Sequence, residues 1–280
     1  MGDVDLRTTI GAAPIERDVV RVHGPEAVAY LQGQLSQDVE GLAVGTSAWS
    51  LLLQPTGKVD AWLRVTRTGD EEVRLDVDAG AGEAVLARLK RFKLRTKAEL
   101  ELETWRGWAV RGPGASGTGW AAGWPGTEGY DVLGPDGDVE VPTAPGVDPA
   151  ALEALRIASG VPAMGAELTE DTIPAEAGQW LIDASVSFTK GCYTGQELVA
   201  RIDSRGGSGP RPIRGLRLTA DAPVGTPVVV DGKEVGSLTS VAHSSTHGPI
   251  ALAAMARSVE VGAEVLVDGQ PATVTALPMP

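Results

Sequence analysis

Two hydrophobic periods run through the chain. "DVVRVHG" (Asp18 to Gly24) alternates as a strand, and Pro25 then opens a helix whose Val28, Leu31 and Leu35 fall on one face. "TSAWSLLLQ" and "KVDAWLRVTR" read as strands parted by the turn signal Pro55-Thr56-Gly57. In the second strand, period-two alternation sends Val59, Ala61, Leu63 and Val65 to one face. It sends Asp60, Trp62, Arg64 and Thr66 to the other. "EVRLDVD" alternates likewise, and Gly82 to Phe92 is a helix with Val85, Leu89 and Phe92 on one side. "AELELE" and "WAVRG" return to strand.

Gly112 to Pro149 is rich in Gly and Pro, which predicts long loops around short strands at "YDVLG" and "VEV". A helix follows, with Asp148 as N-cap, Pro149 at its first position and Gly160 as its stop. After Ile213 the segments become short and strand-like, and Asp231-Gly232 and Asp268-Gly269 mark hairpins. The pattern predicts an α+β domain over residues 1–212 and a small β-barrel over 213–280.

Composition narrows the function classes. The 280 residues carry a formal net charge of −13, which argues against direct nucleic-acid binding, since phosphate contacts need clustered cations. The apolar runs are too short to span a bilayer, and the acidic start does not read as a secretory leader, so a cytoplasmic monomer without membrane contact is expected. One cysteine excludes an internal disulfide or a multi-cysteine metal cage, and no stable metal is expected. "HSSTH" reads as a loop. Two basic islands interrupt the acidic chain. "RLKRFKLRTK" runs from Arg88 to Lys97, and Arg201, Arg205, Arg211, Arg214 and Arg217 follow later. Each reads either as an anion site or as a solvated face.

The lone cysteine sits in "FTKGCYTGQELVARI". On an extended segment Lys190 and Cys192 leave the same face, and a nearby ammonium favours the thiolate. "TGQE" fits a capping box in which Thr194 caps a helix and Glu197 reaches back, so Cys192 lies beside a helix N-terminus. Gly191 and Gly195 permit backbone approaches that a side chain would block. These features admit an activated thiol, and equally a tight structural turn.

"KGCYTGQE" resembles the signature of the YgfZ family, folate-binding proteins related to the T protein (aminomethyltransferase) of the glycine cleavage system. The resemblance extends to "YLQGQLSQDV", "LLLQPTGKVDAWLRV", "RLKRFKLRTKAEL", "LRIASGVPAMGAEL" and "VGSLTS". It implies a T-protein-like folate-binding α+β domain followed by the small barrel, with tetrahydrofolate or a derivative in a central channel. It also implies an accessory role in maturing or repairing iron–sulfur proteins, tRNA-modifying enzymes among them, through transient contacts. The motif residues Lys190, Gly191, Cys192, Tyr193, Gly195, Gln196 and Glu197 are then the functional segment. Gln34, Lys58, Asp60, Trp62, Arg95 and Arg156 are candidate folate contacts, and the Arg88–Lys97 island is the first candidate for a polyglutamate tail.

The departures from the T-protein pattern bear on activity. Ala61 and Trp62 stand where T proteins carry an acidic pair, and Ala158 stands where they carry a pterin-contacting glutamate. Aminomethyl transfer is therefore not expected. Alternatives to the accessory role are a folate-dependent one-carbon transferase with another acceptor, or a folate-binding module without chemistry.

Overall fold

The computed structural model describes residues 4–204 and 209–280. Seven strands form one antiparallel sheet: β1 (Gly11–His23), β2 (Ser47–Leu53), β3 (Val59–Arg67), β4 (Glu72–Asp78), β5 (Glu99–Arg111), β6 (Trp120–Ala121) and β7 (Gly129–Pro135). Their spatial order is β2-β3-β4-β1-β5-β7-β6. "AELELE" and "WAVRG" prove to be two ends of the single strand β5, which pairs with β1 over the whole of Gly11–His23. Gly107 lets the strand run through, because a Cβ there would lie 1.9 Å from the Val132 carbonyl oxygen on β7. "VEV" is not a strand.

Helices α1 (Ala27–Gln34) and α2 (Gly82–Phe92) cover one face of the sheet. Leu31, Leu35, Val85, Leu86 and Leu89 pack there against Val20, Val22, Ala61, Leu63, Val65, Leu75 and Val77. The other face meets α3 (Pro149–Ser159) and α4 (Gln179–Ser185), with α5 (Gln196–Ser204) at the margin. The caps of α3 follow the expectation: the Asp148 carboxylate accepts from the Ala150 N–H, and Gly160 ends the helix with φ +73.

Strand β3 departs from simple alternation. Leu52 pairs with Ala61, but Leu53 pairs with Val59, so Asp60 is an extra, bulged residue. The bulge moves Val59 onto the Trp62 side, whereas Ala61, Leu63 and Val65 keep the helix side. Asp60 and Trp62 therefore do not share a surface as alternation predicts. The polar side is not a solvent face either, since Arg64 is only 1% exposed and Thr66 4%.

Six further strands close a barrel: β8 (Ile213–Leu218), β9 (Pro227–Val230), β10 (Lys233–Ser244), β11 (Gly248–Met255), β12 (Glu264–Val267) and β13 (Gln270–Thr275). At both Asp-Gly signals the two turn residues have positive φ (49° and 73°), as a two-residue hairpin turn requires. Ile213, Ile250, Leu252 and Met279 join Trp49, Leu51 and Ile157 in one apolar cluster, which seats the barrel against the sheet. No helix among the described residues is long and apolar enough to cross a membrane.

Candidate functional site: a tryptophan-walled cavity and the cysteine loop

A cavity of about 350 Å³ opens on the sheet face opposite α1 and α2. Trp49, Trp62 and Trp124 form its apolar walls, and Arg17, Arg111 and Arg156 line it together with Glu16, Asp78, Asp131 and Glu153. Trp62 is fixed on three sides. Its ring stacks on Trp49 with centroids 4.1 Å apart, it meets the edge of Trp180 at 5.8 Å, and its indole N–H donates to Ser185 Oγ at 3.0 Å. Such a wall suits a flat, partly apolar ring system.

Behind the wall lies an ionic lattice. Arg64 donates to both Asp76 oxygens (2.9 and 3.1 Å) and to Asp131 Oδ2 (2.9 Å), and its guanidinium lies 5.5 Å from the Trp49 ring centroid. Arg17 pairs with Asp76 and Asp78, and Arg111 Nη2 lies 2.8 Å from Asp131 Oδ1. Burial alone would raise the Asp131 carboxyl, but Arg111 and Arg64 overcome it and hold its pKa below the ordinary 3.8. The Arg111–Asp131 Oδ1 contact does not align as a hydrogen bond. Asp131 Oδ1 is thus satisfied by its ion pair alone, and Arg111 Nε is buried without a hydrogen-bond partner among the described residues.

Arg156 also lines the cavity, but its guanidinium is held from behind. It donates to Glu153, to the Val161 carbonyl, to Glu167 Oε2 at 3.0 Å and to Ser240 Oγ at 2.7 Å on the barrel.

The motif forms a loop pinned to the end of α1. Lys190 Nζ donates to the carbonyls of Gln32 (2.6 Å), Leu35 (2.7 Å) and Gln37 (3.0 Å). All three ammonium hydrogens have protein acceptors. Burial pulls its pKa down to about 8 against the opposing fields of Asp38 and Glu40. The ammonium therefore serves the carbonyls beyond α1, and no hydrogen bond joins it to Cys192. Cys192 itself is exposed.

The cap forms one position away from the expected box. Helix α5 starts at Gln196, whose Oε1 accepts from the Tyr193 N–H at 3.2 Å, while the Thr194 N–H is taken by the Gly33 carbonyl. Glu197 is exposed. Tyr193 is half-buried against Lys190, and burial raises its phenol to about 12. Gly195 is needed where it stands, with φ +83 and a would-be Cβ 2.5 Å from the Gln54 carbonyl oxygen. Gly191 is not, since a Cβ there meets nothing within 4 Å.

Of the sequence-derived folate candidates, Trp62 and Arg156 line the cavity, while Gln34, Lys58, Asp60 and Arg95 do not. The bulge directs Asp60 to Arg88 on α2, with Nε to Oδ2 at 2.8 Å, and Arg88 also reaches Gln34 Oε1 at 3.4 Å. Lys58 pairs with Asp171 at 2.6 Å, and Arg95 is exposed with φ +56. The apolar side of α2 docks the Arg88–Lys97 island on the face away from the cavity, so the cavity geometry gives it no tail contact. In the second island Arg201 and Arg211 are exposed, Arg217 binds the Pro280 carbonyl, and Arg205 lies outside the described residues. Sequence reasoning passed over Trp49, Arg17, Arg111 and Asp131, which come from separate strands and carry no shared spacing. "HSSTH" falls at the β10–β11 hairpin tip, and no cluster of metal-ligating side chains occurs among the described residues.

No protein-family model matches the chain. It is 30% identical over 188 residues to an uncharacterized protein of Haemophilus influenzae, a match covering 67% of this chain and 66% of that one. An iron–sulfur cluster assembly factor IBA57 homologue, mitochondrial, of Pyricularia oryzae is 32% identical over 218 residues, covering 68% of this chain and 53% of the relative. The tRNA-modifying protein YgfZ of Edwardsiella ictaluri is 27% identical over 219 residues, covering 67% and 65%. The chain thus spans between about half and two thirds of the length of these relatives. Among solved structures, glycine cleavage system aminomethyltransferase T from Bartonella henselae superposes with a TM-score of 0.76 at 22% identity, over 98% of this chain and 87% of that one, which shows a common fold. With the sheet, the closed barrel and the KGCYTGQE loop in place, the chain is similar to YgfZ, IBA57 and aminomethyltransferase proteins, consistent with the YgfZ family.

Proposed function

We propose that the protein is a folate-binding accessory factor for the maturation or repair of iron–sulfur proteins, tRNA-modifying enzymes among them, with the KGCYTGQE loop as its working surface. The carrying observation is a physical connection between cavity and loop. The Trp62 indole donates to Ser185 Oγ, Ser36 Oγ donates to the Ser185 carbonyl, and the Ser36 carbonyl accepts from the Ser187 N–H. Whatever rests on Trp62 therefore bears on the strap that leads to Cys192.

The cavity residues fit a folate. Trp49 and Trp62 offer a flat wall for the pterin, while Asp131 and Arg111, ion-paired to each other at 2.8 Å, stand in the polar lining beside it. Arg17, Arg111 and Arg156 are the cations of the lining, each already paired with a carboxylate. Bound tetrahydrofolate supplies a carrier for one-carbon units. The protein holds the ring against its tryptophans, and Arg111 and Arg64 keep Asp131 ionised beside it.

That last feature disfavours aminomethyl transfer, which needs a carboxylate free to manage a proton beside the folate nitrogen. Asp131 is held by Arg64 and Arg111, Asp78 by Arg17 and the Met164 N–H, Glu153 by Arg156 and Glu16 by Arg106. Asp60 is engaged by Arg88 outside the cavity. Ala158 is buried in the core and offers no polar group.

Complementation tests the reading. In a strain lacking its own family member, the full chain is expected to restore the activity of an iron–sulfur tRNA-modifying enzyme, and Cys192→Ala to fail at equal expression. Equal rescue by both would remove the loop from the function.

A further inference from the structure

A second cavity, of about 380 Å³, lies where the barrel meets the α+β layer. It is separate from the one proposed for folate. Trp180 belongs to this cavity and Trp62 to the other, and the edge contact between those two rings stands between them. Its volume falls within the range of small-molecule sites, roughly 300 to 1,000 Å³.

The lining is one-sided in chemistry. Trp180, Ile213, Leu277 and Pro278 supply apolar wall, Ser159 supplies a hydroxyl, and Arg214 is the sole charged residue. Arg214 continues the row of Leu216 and Leu218, whose side chains fill the barrel interior, so it stands at the barrel mouth. Its Nε is buried and has no hydrogen-bond partner among the described residues. That Nε is closed off from the cavity, so the rest of the guanidinium is what an occupant meets, and a cationic donor gains most from an anionic acceptor. On a chain of net charge −13, a pocket whose single charge is positive and whose lining holds no carboxylate selects for anions by contrast with its surroundings.

We propose that this junction cavity is a binding site for a small organic anion with a flat apolar body, such as an aryl carboxylate or sulfonate. The anionic group meets Arg214 and the ring lies against Trp180 and Leu277. Because Ile213 and Leu277 also sit in the cluster that joins barrel to sheet, an occupant would bridge the two layers.

The probe is 8-anilinonaphthalene-1-sulfonate, titrated by fluorescence into the full chain, with uncharged N-phenyl-1-naphthylamine as its control and near-UV circular dichroism to confirm packing. The wild type is expected to bind the sulfonate at one saturable site. Arg214→Gln should weaken it at least tenfold and leave the uncharged control within about twofold. Arg17→Gln, which alters the other cavity, should leave the sulfonate affinity unchanged. Leu277→Trp, which fills the junction, should abolish binding of both dyes and keeps the test decisive if Arg214→Gln does not fold. Unchanged affinity in Arg214→Gln or Leu277→Trp, loss in Arg17→Gln, or non-saturable binding would overturn the proposal. Loss in Arg17→Gln would place the dye in the tryptophan-walled cavity instead, and the other outcomes leave folate binding untouched.

Discussion

Arg64 shows how far a single side chain can depart from its pattern. Alternation places it on the polar side of β3, yet it is 1% exposed and held between Asp76 and Asp131. Its partners lie on β4 and β7, 12 and 67 residues away, and nothing in the local sequence announces them. Removing one member of a buried pair strands the other charge, so Arg64→Leu should cost about 3–5 kcal/mol in urea unfolding. Asp131 gives the matching pH dependence. Its folded pKa is depressed, so its contribution is full above the unfolded value near 3.8 and fades as pH falls through the lower folded value. Stability is expected to drop below about pH 4, and Asp131→Asn should flatten that acid limb. Cys192 was legible as the distinctive residue, but the role of Lys190 was not, because its acceptors are backbone carbonyls on a different element. Cys192 should react with iodoacetamide in the native protein as readily as in urea, followed by mass spectrometry. Protection in the folded state would contradict its exposure.

Among the elements, the apolar periods located α1, α2 and α3, most sheet strands and the barrel strands, because burial on a fixed face is what those periods encode, but they passed over α4, β6 and the first half of β1. They could not reveal the bulge at Asp60, since one extra residue leaves the composition of β3 strand-like while changing which side each residue faces. The same limit applied to the motif, where the spacing signalled a cap but geometry gave it to Gln196. Its two glycines separate structural need from other uses. Gly195→Ala should lose about 1–3 kcal/mol of stability, from its positive φ and the close Gln54 carbonyl. Gly191→Ala should stay within about 0.5 kcal/mol of wild type. Thermal unfolding of the pair checks both. A destabilised Gly191→Ala would mean that the loop is packed more tightly than its open surroundings indicate.

For the whole molecule, the resemblance carried the architecture, and the shared fold with aminomethyltransferase T agrees with it. It implied a central channel but not the lining of this cavity, whose walls come from β1, β2, β3, β4, β5, β7 and α3 together with the segment after it. Barrel and cavity are also coupled, because Ser240 on β10 donates to Glu167 and accepts from Arg156. The central claim is that a reduced folate rests on the Trp62 side of β3 and not on the Asp60 side. Isothermal titration of 5-formyl-tetrahydrofolate into the wild type, Trp62→Leu and Asp60→Asn, each verified as folded, addresses it directly. The account predicts one saturable site in the wild type, at least a tenfold loss in Trp62→Leu, and affinity within about twofold of wild type in Asp60→Asn. No binding by the wild type, or loss in Asp60→Asn with Trp62→Leu unaffected, would contradict it.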